Sequence, residues 1–253
     1  MSGHSKWATI KRQKGVADAR RGQLFTKLGR ELSIAAREGG PDPDANFRLR
    51  LVIEKAKEAN MPKENIERAI QRGAGLTKGE AALEEIIYEG YGPEGTALLV
   101  SALTDNRNRS VAEVRRVFTR HGGNLGENGC VAWLFDRKGY LTLEVGDGDP
   151  EELALMAIDA GAEDVREDAD TVEVYTAPQD LQKVRDALAA ANVRIGSAEL
   201  VWVPKTTMQL GDKGTLQNMS LIEDLEELDD VLNVYSNLDI SDAMMAKYAE
   251  QTV

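Results

Sequence analysis

The chain is poor in the residues from which cages and covalent staples are made. One cysteine, Cys130, excludes an internal disulfide, and one cysteine with two histidines, His4 and His121, cannot supply a Cys/His zinc cage. Aromatic residues make up 5% of the chain, and no apolar run approaches the roughly 20 residues that cross a bilayer. The opening Met1-Ser-Gly-His-Ser-Lys6 lacks the apolar core of a signal peptide, so a cytoplasmic protein is expected. No GxxxxGK[ST], GxSxG or HExxH string occurs. With so few bases to activate a nucleophile, the expectation is a protein that is not an enzyme and carries no cofactor, metal or small-molecule substrate.

What the chain does hold is enough for several folded modules: 253 residues, 42% apolar and 29% charged. Its net charge of −12 is divided unevenly. Residues 1–75 carry 16 Lys and Arg against 9 Asp and Glu, whereas residues 76–253 carry 15 against 34. A basic start on an acidic body suits phosphate met in one orientation; two solvated surfaces of opposite sign would leave the same count.

Residues 4–15 hold four Lys and Arg, Trp7 and no acid, and read as an arm. From Ala17 to Glu38, Leu24, Phe25, Leu28, Leu32, Ala35 and Ala36 recur at helical spacing, and Gly39-Gly-Pro41 stops the helix. Arg20, Lys27, Arg30 and Arg37 fall on its other face. Asp44 is the expected N-cap of a second helix, and Pro62 suits the first turn of a third, with Gly73 past its end.

Strands then alternate with helices. Residues 84–91 and 96–103 read as strands, Ser110–His121 as a helix capped by Ser110, and Cys130–Phe135 as a strand. From Tyr140 to Val203 the order is βαββαβ, the ferredoxin-like split unit. The block before it is one helix and one strand short of that plan. Both follow at the far end, as an acidic helix from about Ser220 to Asp230 and a strand at 231–236. An insertion is therefore expected: residues 1–75 as a basic arm and three-helix domain, 80–135 plus 206–240 as a discontinuous α/β domain, and 136–205 inside it.

Three segments are candidates for chemistry. The arm pairs Trp7 with Lys6, Lys11 and Lys14, a mixture that stacks on a base while neutralising phosphates, although Trp7 could equally anchor in a hydrophobic groove. Arg107 and Arg109 lie between a strand and a helix, where they could grip phosphate or pair with the acidic body. The Gly122–Gly129 cluster closes a helix and leads to a strand, so it reads as a C-cap and tight loop. Glu223, Asp224, Glu226, Glu227, Asp229 and Asp230 read as the solvent face of an amphipathic helix.

Six strings carry a resemblance. Gly3-His-Ser-Lys-Trp-Ala, Arg21-Gly-Gln-Leu-Phe-Thr-Lys-Leu, Asn60-Met-Pro-Lys-Glu-Asn-Ile-Glu-Arg-Ala-Ile, Tyr88-Glu-Gly-Tyr-Gly-Pro, Leu103-Thr-Asp-Asn-Arg-Asn-Arg and His121-Gly-Gly-Asn-Leu-Gly closely resemble the YebC/PmpR family, which is related to a mitochondrial translational activator. The resemblance implies an α+β chain: an N-terminal three-helix domain followed by two ferredoxin-like α/β domains, one inserted in the other. It also implies a cytoplasmic, non-enzymatic protein. Members are commonly assigned as DNA-binding transcriptional regulators, and others are described as ribosome-associated factors that bind ribosomal RNA and help translation past proline-rich stretches. Carried over residue by residue, the family's basic surface lands on Lys6, Lys11, Lys14, Arg20, Arg21, Lys27 and Arg30, with Arg107 and Arg109 on the second domain.

Overall fold

A computed structural model describes residues 18–75, 83–146, 148–167 and 170–251. Three helices come first: α1 (Asp18–Gly39), α2 (Phe47–Glu58) and α3 (Lys63–Gly73). Their apolar stripes enclose one cluster in which Leu28, Leu32, Leu49, Val52, Ala56 and Ile66 are buried. Asn46, not Asp44, caps α2. Its Oδ1 accepts from the Leu49 N–H at 3.0 Å while its amide donates to the carbonyls of Ala35 and Gly40, so one buried side chain ties the end of α1 to the start of α2. Pro62 occupies the cap position just before α3, and Gly73 is the last residue of that helix rather than the one beyond it. Only glycine fits there: a Cβ on Gly73 would stand 2.0 Å from the Ser33 carbonyl oxygen of α1.

The first sheet comprises β1 (Glu84–Tyr91), β2 (Ala97–Thr104), β3 (Asn124–Leu125) and β8 (Val231–Ser236), in the order β3-β1-β2-β8 with every neighbour antiparallel. Between β2 and β3 runs α4 (Arg107–Arg120), and α7 (Asp212–Glu226) precedes β8. The far-end helix and strand do complete this sheet, and α7 starts eight residues earlier than the sequence pattern suggested. The spatial layout is that of a ferredoxin-like sheet. Its connectivity differs: β1 fills the place of the third strand but comes first in the chain, joined to β2 by a short turn. Val100, Val114, Phe118, Leu221, Leu225 and Val234 lie in the core between sheet and helices. A last helix, α8 (Asp242–Gln251), which the sequence reading did not anticipate, adds Met244 and Tyr248 to that core.

The segment 130–135 is not a strand of this sheet. Glu89, itself buried, accepts from the N–H groups of Gly129, Val131 and Ala132 at 2.6, 2.9 and 2.8 Å, and the segment bends into a short 3₁₀ turn at Ala132–Leu134. Donors that a neighbouring strand would have engaged are taken by one carboxylate. Burial pushes that carboxyl up, but the three N–H bonds outweigh it and hold it below the ordinary carboxylate range.

Phe135–Val203 separates as a compact unit of its own. It contains β4 (Phe135–Glu144), α5 (Pro150–Ala160), β5 (Asp164–Glu167), β6 (Thr171–Thr176), α6 (Leu181–Ala190) and β7 (Ile195–Pro204), whose final residue lies just past the unit. The sheet order β5-β6-β4-β7 is the ferredoxin-like arrangement expected of βαββαβ. Leu141, Leu143, Val172, Val174, Leu181 and Val184 are its fully buried core. No helix among the described residues is long and apolar enough to cross a membrane.

Candidate nucleic-acid interface

Lys6, Trp7, Lys11 and Lys14 lie outside the described residues, and Arg20 falls on α1 with its side chain undescribed. Arg21 is exposed on the same helix. The remaining basic candidates are held by acids and carbonyls of this chain. Lys27 Nζ donates to the Glu226 carbonyl at 2.5 Å, and Arg30 Nη1 donates to the Asp229 carbonyl at 2.8 Å and to Asp230 Oδ1 at 2.6 Å. Beside them the Gln23 amide donates to the Glu227 carbonyl and to Asp229 Oδ1. The basic face of α1 thus lies on the end of α7 and the turn that follows, where carbonyls left without helical partners carry partial negative charge.

Asp230 is the centre of this seam. The sequence pattern placed it on a solvent face, yet it is 3% exposed and follows the helix instead of belonging to it. Its carboxylate accepts from Arg30, from Arg109 Nη2 at 2.9 Å and from Thr104 Oγ1 at 2.8 Å. Burial raises its pKa, but the donors from Arg109, Thr104 and Arg30 prevail and keep it below the ordinary range. The Asp230 and Asp105 carboxylates raise the Arg109 guanidinium in turn. Arg30 and Arg109 are brought together as one basic surface would require, but around a carboxylate.

Arg107 and Arg109 are not in a loop. Asn106 caps α4, accepting from the Arg109 N–H at 3.1 Å, so both arginines stand in the first helical turn and Ser110 is buried behind them. A cation at a helix N-terminus opposes the helix dipole. Each is offset: Arg109 by Asp105 and Asp230, and Arg107 by Glu84 at 2.6 Å. The Arg107–Glu84 pair is well exposed, at 69% and 54% for the two side chains, so it contributes little and exchanges readily.

A groove of about 740 Å³ opens beside this seam. Arg30, Arg37, Arg68 and Arg72 line it, with Ser33 and Asn65 between them and Asp105 also on its wall. Arg37 lies in the last turn of α1, and Arg68 and Arg72 are one helical turn apart on α3. Arg37 and Arg68 are exposed and make no hydrogen bond or ion pair to a described residue. The candidate set read from sequence omitted Arg37, Arg68 and Arg72. Their signal was the i, i+4 spacing of Arg68 and Arg72 opposite Ile66 and Ile70. Among the described residues no cluster of His, Cys, Asp and Glu could hold a metal ion.

Residues 5–76 match the family model described as "TACO1/YebC protein N-terminal domain", and residues 83–238 match "TACO1/YebC second and third domain". A protein of Herpetosiphon aurantiacus, named "Probable transcriptional regulatory protein", is 55% identical over 252 residues, covering 99% of this chain and 100% of that one. One of Chloroflexus aurantiacus with the same name is 56% identical over 251 residues, covering 98% and 99%. The crystal structure of a conserved hypothetical protein from Aquifex aeolicus superposes with a TM-score of 0.82 at 50% identity, over 89% of this chain and 93% of that one. The two family models between them span nearly the whole sequence in the order of its modules, and the chain belongs to the TACO1/YebC family.

Proposed function

We propose that this chain is a non-enzymatic, cytoplasmic regulator of transcription that binds duplex DNA through its N-terminal module. The observation that carries the reading is the arginine-lined groove: Arg37 and Arg68 are exposed cations, without an ion pair among the described residues, on a module whose 16 Lys and Arg outnumber its 9 Asp and Glu. Guanidinium groups suit phosphate because their planar donors engage two oxygens at once. Relatives named as transcriptional regulatory proteins support the same reading. In this division of labour residues 1–75 contact phosphate, and the acidic residues of 80–135 and 206–240 repel it, which fixes the orientation of approach.

Fluorescence anisotropy with duplex DNA at several salt concentrations tests this. Arg37→Ala with Arg68→Ala should weaken binding and flatten the log–log salt slope by about 1.8, at about 0.9 per lost phosphate contact. As both are exposed, stability should change by less than about 0.5 kcal/mol. An unchanged slope removes the groove from the interface. Weak duplex binding alongside co-sedimentation with ribosomes that the double variant abolishes would move the same surface to ribosomal RNA.

A further inference from the structure

Among the described residues the large hydrophobics that are exposed are Tyr91, Trp133, Leu155 and Ile158. Isolated exposed apolar side chains are ordinary. Two of these four are not isolated. Trp133 Nε1 and the Tyr91 hydroxyl both donate to one backbone oxygen, the Cys130 carbonyl, at 3.0 and 2.9 Å. The rings therefore flank a single peptide group, with Trp133 65% and Tyr91 37% exposed.

The turn that carries Trp133 is rigidly built. Glu89 fastens it from below through the three N–H bonds to Gly129, Val131 and Ala132, and the Glu89 carbonyl also accepts from the Gly126 N–H at 2.8 Å. From above, Lys205 Nζ donates to the Trp133 carbonyl at 2.9 Å and the Lys205 N–H to that of Leu134 at 2.8 Å. Glu89 thus fixes a surface turn whose outward side chain, Trp133, is an exposed indole.

We infer that Trp133, with Tyr91 beside it, is a stacking platform for an unpaired nucleobase. The inference rests on the nucleic-acid reading above and adds a second, single-stranded contact to it. The hydrogen bonding selects this occupant. The Trp133 N–H and the Tyr91 O–H are both spent as donors on the Cys130 carbonyl, so neither ring has a donor left and contact falls to the π faces. A peptide ligand would call on the indole N–H and the phenol O–H as donors to its own carbonyls. A base needs only the face, and stacking tolerates any base because each has one.

The test uses the full chain with fluorescein-labelled oligothymidylate, oligouridylate and a mixed-sequence duplex of equal length. Trp133→Ala should weaken binding to both single strands by about 5- to 150-fold, the range for loss of one stacked base. Duplex affinity should change by less than about twofold, because paired bases present no free face. Trp133→Phe, which keeps a ring, should recover most of the single-strand affinity. Single-strand binding that survives Trp133→Ala overturns the platform and leaves the DNA reading standing. An equal loss on the duplex also overturns it. Wild-type protein that binds no nucleic acid of any kind sinks the parent reading, and this site with it. Because the Trp133 ring is mostly exposed and Glu89 still holds the turn, thermal unfolding of Trp133→Ala should match the wild type.

Discussion

Asp230→Ala should open the seam between the three-helix module and the first α/β sheet, at a cost that can be worked out from its partners. The Asp230 side chain is 4% exposed and that of Arg30 20%, so their 2.6 Å bond lies in a poorly solvated place and is worth about 1.5–3 kcal/mol as a charge-assisted hydrogen bond. The Arg109 side chain is 42% exposed, and water replaces much of what it loses; about 0.5 kcal/mol is a fair share. The Thr104 hydroxyl is buried and would lose the carboxylate that accepts its proton, adding about 1 kcal/mol. Asp230→Ala should therefore cost about 3–4.5 kcal/mol. Asp230→Asn keeps the shape and one acceptor and should cost about half of that. Urea unfolding gives the totals, and native-state hydrogen exchange at the amides of α1 and of residues 228–231 locates the opening. A double-mutant cycle with Arg30→Ala should return a coupling of about 1–2 kcal/mol. A loss below about 0.5 kcal/mol for Asp230→Ala, or strict additivity with Arg30→Ala, would show that the seam is held by something other than this carboxylate.

The same site makes stability depend on acid. Asp230 and Glu89 are both depressed in the folded protein, so their contribution is full above the unfolded values, about 3.9 and 4.3, and is lost as pH falls through the lower folded values. Urea midpoints should fall steeply below about pH 4, and Asp230→Asn should flatten that fall. Gly73→Ala should destabilise the three-helix module by about 1–3 kcal/mol, since its Cβ would meet the Ser33 carbonyl and push α3 off α1. Gly22→Ala, on an exposed position of α1 with nothing within 4 Å, should instead raise the melting temperature by an amount equivalent to about 0.5–1 kcal/mol.

Much of the architecture was legible because it is written in local periodicity. The stripe from Leu24 to Ala36 defines α1 wherever the helix lies, and βαββαβ order leaves few ways to form an antiparallel sheet. The element edges that differed turn on side chains with distant partners or short-range competitors. Asn46 outcompetes Asp44 as a cap because it can also reach the carbonyls of Ala35 and Gly40. The expected strand at 130–135 gives way to Glu89, some forty residues earlier in the chain.

The candidate interface divides in the same way. That residues 1–75 carry excess positive charge, and that Lys27 and Arg30 share one face of a helix, follows from composition and helical phase. What those cations bind does not. Asp230 is 200 residues from Arg30 and 121 from Arg109, and in sequence it belongs to a run of acids indistinguishable from solvated neighbours. Tertiary packing buries this one and leaves Asp229 beside it on the surface, and a buried carboxylate recruits whatever donors can reach it, because leaving it without them would cost more than ordering two arginines around it. The sequence by itself determined the modules, their order and the sign of their charge, since these depend on spacing along the chain. Which cations neutralise the protein's own acids, and which, like Arg37 and Arg68, stand exposed in a groove, depends on distances across the fold, and those only the tertiary structure decided.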